Sequence, residues 1–196
     1  MGNSKCGHRR VTGASFSLHP MSDDFVDVIQ AALGETNTSK VWMETDDVTT
    51  TVRGKTVHVF DVTKAICLHA AKTGKHVAFQ ATYSVGCPGD TETDTYVEID
   101  DIPSNVTQDE KENPFAAAKF SLYPLGGGNY MDTILEQIEL MKKHVNVSKA
   151  HLSTKLSGGL LDIFIGLEDV FEKTVKAGSD HTVMTVTVSI NSPSHK

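Results

Sequence analysis

Trp42 and Glu44 stand two residues apart in SKVWMETDDVTTTVRGK (residues 39–55). The β-branched content and the TDD cluster make this segment read as strand, tight turn and strand, with Asp46-Asp47 at the turn. Residues two apart in a strand share a face. An aromatic ring beside a carboxylate on one face suits a flat cationic or aminated heterocycle. The competing reading is that Trp42 fills an interface, and the residue types leave both open. The same alternation puts Ser15, Ser17, His19, Thr49, Thr51, Arg53, Gln80, Thr82 and Ser84 on that face. Further along, Lys119, Ser121, Tyr123, His151, Ser153, Thr185, Thr187 and Ser189 form a second set. A face left in water would be rich in Lys and Glu, and here hydroxyls dominate. We therefore expect these surfaces to be covered, by each other or by a partner subunit. Their hydroxyls can hydrogen-bond a small ligand; the blander alternative is a sheet-to-sheet contact that holds none.

Roles follow from the side chains. Trp42 stacks on or walls a ring, and Glu44 and Asp46 hold an amine or a cation. Ser17, Thr49, Thr51, Thr82 and Ser84 supply hydrogen bonds. In the second set, Tyr123 and His151 replace the aromatic wall, with Ser121, Ser153 and Thr185 as polar partners.

Other chemistries fit the residues poorly. Glu44, Asp46 and Asp47 are close in sequence, but the nine histidines show neither HxH nor HExxH spacing, so no metal centre is expected. No nucleophile–base pair stands out, and no catalytic residue is assigned. Cys6, Cys67 and Cys87 are odd in number and without CxxC spacing, which argues against a disulfide framework. Gly126-Gly127-Gly128 precedes a helical pattern, but no Gly-Lys-Ser/Thr follows, so it reads as a flexible entry turn rather than a phosphate cradle. The N-terminus lacks an apolar core and no apolar run is long enough to span a membrane, so a cytoplasmic protein without membrane insertion is expected.

These residues must be positioned by elements, and the elements occur twice. ASFSLHP (14–20) and AKFSLYP (118–124) agree at five of seven positions, 104 residues apart. A helical stripe follows each: Phe25, Val28, Ile29, Ala32 and Leu33, then Met131, Ile134, Leu135 and Ile138. SKAHLSTKLSGG (148–159) repeats the strand–turn–strand of residues 39–55. Second helices place Phe60, Thr63, Cys67 and Ala71 where Phe164, Leu167, Phe171 and Val175 fall. HVAFQATYSVGCP (76–88) and HTVMTVTVSINSP (181–193) close each unit as strands. The order is βαββαβ twice. With right-handed crossovers this predicts an α+β protein of two tandem ferredoxin-like plaits, each an antiparallel sheet with two helices on one face. In the first repeat, Phe16 and Leu18 should face the helices, as should Val41, Met43, Val48, Val52, Val77, Phe79, Ala81, Tyr83 and Val85. Residues 1–88 and 114–196 are the expected units. The segment between them, 89–113, reads as a solvated linker; its last 24 residues hold nine acids and one lysine, against a net charge of −7 for the chain. RNA-recognition domains share this plait, but VTTTVRG (48–54) offers no aromatic and the chain is acidic, so no nucleic-acid partner is expected.

FSLHPMSDDF (16–25), TSKVWMETDDVTTTVRG (38–54), HVFDVTKAICLHAA (58–71) and YSVGCPGDTETDTY (83–96) resemble the YkoF family of thiamin/hydroxymethylpyrimidine-binding proteins. The likeness runs nearly end to end and includes the duplication and the long connecting segment. It implies two ferredoxin-like repeats, a homodimer, and a non-enzymatic role in which thiamin is bound through its pyrimidine. It also implies a part in salvage or transport of thiamin or its hydroxymethylpyrimidine precursor, beside a membrane transporter, with the ligand itself in place of any cofactor. The second repeat departs: SKAHLSTKLSGG has neither the tryptophan nor the TDD of the first, so its site is expected to bind differently or more weakly. Two other classes stay open, an enzyme acting on thiamin or pyrimidine precursors and a regulatory plait that senses a small molecule.

Overall fold

Alternating β-branched and polar residues build the strands, and apolar stripes of 3.6-residue period build the helices. The computed structural model describes residues 11–86, 96, 98–105, 113–125, 129–179 and 181–195. In order, the elements are β1 (Thr12–Pro20), α1 (Phe25–Glu35), β2 (Trp42–Thr45), β3 (Thr50–Gly54), α2 (Thr56–Ala71) and β4 (Val77–Val85). The second repeat supplies β5 (Phe115–Leu125), α3 (Tyr130–Met141), β6 (Asn146–Ala150), β7 (Ser153–Gly159), α4 (Leu160–Lys176) and β8 (His181–Ile190). Cys6, Cys87 and Gly126 to Gly128 lie outside the described residues. No helix among those described is long and apolar enough to cross a membrane.

The strands form one antiparallel sheet in the order β2-β3-β1-β4-β8-β5-β7-β6. This corrects one alternative for the hydroxyl-rich faces: within the chain they do not cover each other. Each plait ends in a strand with an unpaired backbone edge. Here β4 and β8 join those edges, with Thr82 opposite Thr185 and Gln80 opposite Thr187. The pairing satisfies both ladders and makes two half-sheets into a single sheet of eight strands. Histidine–serine bonds tie the seam at both ends, His76 Nε2 to Ser189 Oγ at 3.0 Å and His181 Nε2 to Ser84 Oγ at 3.2 Å.

The core lies between the sheet and the four helices. α2 and α4 occupy the middle, and α2 is buried on nearly every side. Phe60 stacks on Tyr83 with ring centroids 4.3 Å apart, and Phe171 of the second repeat closes on both. The Tyr83 hydroxyl is buried but shares a 2.9 Å hydrogen bond with Thr63. Each such ring contributes about 1.5–3 kcal/mol by burial, so the aromatic cluster binds the repeats through their cores as well as through their edges. Gly54 and Gly158 hold equivalent positions where the chain enters α2 and α4. A Cβ there would press on Val41 or Val145 at 3.2 or 3.1 Å, so any larger residue has to push that valine aside for the strand to pass this close.

The strand alternation holds for Phe16, Leu18, Val41, Val52, Val77, Phe79, Ala81, Tyr83 and Val85, all buried on the helix side, and Met43 packs against them. Val48 differs. It belongs to the turn, not to a strand, because Asp46 Oδ1 accepts the amides of Val48 and Thr49 at 2.7 and 2.8 Å and widens the hairpin loop. Val48 is left 80% exposed.

The acidic connecting segment also departs from the solvated linker expected. Its described part is docked on the first repeat. Lys40 Nζ donates to Asp100 Oδ1 at 2.7 Å and to the Ile102 carbonyl at 2.8 Å. Lys55 pairs with Asp101 at 2.9 Å, and His58 Nε2 lies 2.6 Å from the Asp100 carbonyl. Asp61, buried in α2, accepts the amides of Ser104 and Asn105 and the Asn105 side chain. Lysines of the first repeat neutralise part of the segment's charge, and its backbone supplies the partners that buried side chains need. Asn113 does the same at the other end, where its Oδ1 accepts the Leu161 amide at the start of α4 at 2.8 Å.

Candidate functional site: two slots at the ends of the central strands

The β1–β3 ladder stops at Phe16 opposite Thr50, yet β1 runs on to Pro20. The wide loop held by Asp46 then swings the hairpin away from Ser17, Leu18 and His19. On that side these three residues have no strand neighbour, so a slot opens through the sheet. Its inner end is apolar, formed by Leu18, by Ile29 and Leu33 of α1 and by Ile66 of α2. Its outer end carries Ser17, His19, Asp46, Asp47 and Thr49. The cavity measures about 200 Å³.

The second repeat repeats the construction. The β5–β7 ladder stops at Phe120 opposite Thr154, while β5 continues to Leu125. A slot of about 270 Å³ lies beside Ser121, Leu122 and Tyr123, against Ile134 and Ile138 of α3 and Leu152 to Thr154 of the hairpin. Serine hydroxyls brace each hairpin. Ser15 Oγ donates to Thr49 Oγ1 at 2.9 Å, and Ser121 Oγ donates to the Leu152 carbonyl at 3.1 Å. Both volumes fall below the roughly 300–1,000 Å³ of drug-sized pockets, which suits a single ring.

A bare strand edge offers N–H donors and C=O acceptors at fixed spacing. A heterocycle with an amino group next to a ring nitrogen presents the complementary pattern. Apolar helix residues behind it can hold the ring faces.

The slots differ in charge. The amides of Thr49 and Val48 hold the Asp46 carboxyl below the usual carboxylate range, so the first slot keeps a negative charge at its mouth. Among the described residues no carboxylate lines the second. Its hairpin instead turns at Leu152, which is fully exposed with φ of 63°. A left-handed leucine costs roughly 1–2 kcal/mol. Substituting Leu152→Gly is expected to raise stability by about 1 kcal/mol while weakening ligand binding in the second slot, because the apolar wall is lost. Thermal melting with calorimetry checks both signs; a lowered melting temperature contradicts the first.

The sequence-derived site residues divide among three places. Ser17, Asp46 and Thr49 line the first slot; Ser121, Tyr123 and Ser153 line the second. Ser17 and Thr49 also border a shallow depression of about 340 Å³ on the helix-free face, with Thr82 and Thr185. Trp42, Glu44 and Thr51 sit on that face inside the β2–β3 ladder, where Trp42 is opposite Arg53 and Glu44 opposite Thr51. They and Ser84 line neither slot, and His151 lies exposed in the β6–β7 turn. Alternation put His19 on the open face and Leu18 on the helix side without giving either a role at a slot, and it did not point to Ile29, Leu33, Ile66, Ile134, Ile138 or Leu152. The helix residues gave no sequence signal of their own; only the structure shows that the core does not use the whole of either stripe, with Phe25 on one and Leu135 on the other half exposed. Among the described residues no three His, Cys, Asp or Glu side chains converge to hold a metal.

Comparison with known proteins meets this geometry at both repeats. The family model described as "YKOF-related Family" matches residues 11–90 and, separately, 115–195. The chain belongs to the YkoF family. A protein of Bacillus subtilis (strain 168) with the name "Putative HMP/thiamine-binding protein YkoF" is 43% identical over 192 residues, covering 97% of this chain and 96% of that relative. The two family matches each contain one whole slot, so the slots belong to the part of the chain that defines a YkoF member. They leave out residues 91–114.

Proposed function

We propose that this YkoF-family chain binds thiamin or its hydroxymethylpyrimidine moiety without chemical turnover, one ring in each slot. One observation carries the reading: both repeats end the same ladder at the same phenylalanine, leaving a bare strand edge backed by aliphatic side chains. That edge complements an aminopyrimidine. The relative's name points to the same ligand class. A soluble role in precursor salvage or transport, in the cytoplasm, as a homodimer and beside a membrane transporter, belongs to the same proposal. No cofactor is needed.

Charge sets the preference between ligands. The thiazolium of thiamin is a cation and suits the first slot, where Asp46 stays ionised and Asp47 lies alongside. The second slot accepts the neutral pyrimidine alcohol equally well. Neither lining contains Lys or Arg among the described residues, so a diphosphate gains nothing there. Isothermal titration with thiamin, hydroxymethylpyrimidine and thiamin diphosphate is expected to show two sites per chain and the diphosphate binding most weakly. Tighter diphosphate binding overturns the assignment. Ser17 Oγ and His19 Nε2 lie 2.9 Å apart in the first slot, a contact that an enzyme could use for nucleophilic attack. Ligand recovered unchanged after long incubation with the protein supports carriage; a converted product supports catalysis.

A further inference from the structure

We infer that residues 98–105 of the inter-repeat segment are a latch that sets the width of the first slot, with Asn105 as its positioning residue. This role depends on the slot assignment above and falls to residues outside both family matches.

The first slot has two walls, α1 and the β2–β3 hairpin. They are joined by the loop of residues 36–41. The loop's own bonds are local: Thr36 bonds back to the Ala32 and Leu33 carbonyls of α1, the Ser39 amide donates to Asn37 Oδ1 and the Val41 amide to the Thr38 carbonyl, and none of these reaches the hairpin. The connecting segment pins the loop at two points. At the first, Asn105 Oδ1 accepts the Asn37 amide at 2.7 Å while Asn105 Nδ2 donates to the Asn37 carbonyl at 2.9 Å. One side chain thus copies the paired bonds of a strand neighbour. At the second, Lys40 bonds Asp100 and the Ile102 carbonyl immediately before β2. Both pins are anchored below. Asp61 Oδ2 accepts three bonds from Ser104 and Asn105 at 2.8 to 3.0 Å, and Asp61 is 2% exposed on α2. Lys64 Nζ lies 3.5 Å from Oδ1 and balances the charge, but Oδ2 is buried and does not release its three donors without being left unsatisfied. The loop, and with it the spacing of the walls, is therefore referred to α2, the most buried helix of the first repeat.

The second repeat provides the contrast. There α3 reaches β6 through only residues 142–145, and His144 Nε2 ties this joint straight to α4, 3.2 Å from Asp169 Oδ2. The shorter joint reaches its repeat's second helix directly; the longer one reaches α2 through the connecting segment. By linkage, whatever the latch contributes to ligand affinity, the ligand returns to the latch.

Asn105→Ala removes three bonds at once and tests the inference on the full chain. Hydrogen exchange of the Trp42–Gly54 amides is expected to accelerate at least about tenfold, and that of residues 146–159 to stay as in the unsubstituted protein. Thiamin affinity in the first slot is expected to fall about tenfold, with the second slot unchanged, a size ordinary for coupled sites. Unchanged exchange in the first hairpin, or equal acceleration of both hairpins, overturns the latch. If Asn105→Ala fails to fold, Lys40→Ala is measured in the same way. The exchange result stands without ligand: a protein that binds no thiamin refutes the proposed function while the latch is still decided by the two hairpins.

Discussion

Leu33→Trp is expected to abolish binding in the first slot and leave the second intact, and Ile138→Trp to do the reverse. Leu33 and Ile138 line the two cavities from α1 and α3. An indole fills most of a 200 Å³ space and puts its face where a ligand ring would stack. The cavity admits the larger side chain, so the overpacking cost stays near the low end of about 1–3 kcal/mol. Calorimetry then shows one site per chain instead of two. Two sites of unaltered affinity in both variants remove the slots as the binding places.

The second large effect lies at the join of the repeats. Glu168 of α4 is mostly buried against α2, and burial pushes its carboxyl up to about 7 from 4.5. Lys64 pulls it back in part, whereas Glu172, Asp61 and Asp169 push further up. The folded chain therefore holds a proton that the unfolded chain releases. This stabilisation is complete below pH 4.5 and is lost as pH rises through about 7. Glu168→Gln keeps the neutral form at every pH. At pH 8 the variant is expected to be more stable by on the order of 2–3 kcal/mol, since each tenfold gain in proton affinity on folding is worth about 1.4 kcal/mol, and the advantage should be small near pH 5 and gone below 4.5. Denaturant titrations at both pH values measure it. An advantage of equal size at both refutes the buried-proton account.

Side-chain periodicity reveals which way a residue faces, and the strand alternation for Phe16, Leu18, Phe79 and Tyr83 was legible for that reason. The 104-residue echo made the duplication legible too. Strand neighbours are another matter. The β4–β8 seam is made by backbone edges, which no side chain encodes, so edge-to-edge joining could not be told from face-to-face packing. The slots escaped for the same cause. They arise where two ladders end, and that depends on Asp46 taking two amides and on Leu152 accepting a left-handed turn. Trp42 and Glu44 looked chemically suited, but lie inside the ladder and not at its end. Ile29 and Ile134 looked like ordinary core because the stripe that packs a helix and the stripe that walls a ligand have the same period. The latch was hidden in charge composition: nine acids suggested solvent, while Lys40 and Lys55 stood more than 40 residues away to receive Asp100 and Asp101, and His58 the Asp100 carbonyl.

The strand order has a consequence for loading. The slots flank β1 and β5, four strand spacings apart, about 19 Å at roughly 4.8 Å each. β1 and β5 run in opposite directions through the β4–β8 seam, so the openings also lie toward opposite ends of the sheet. If the slots are the binding places, two occupants cannot touch, and the saturation curve is expected to be the sum of two isotherms with no Hill coefficient above one. Because the compartments differ in charge, their midpoints should separate. A single chain would then be a two-stage reservoir: one compartment discharging while the other still holds its cargo, over a wider range of supply than two identical sites would cover.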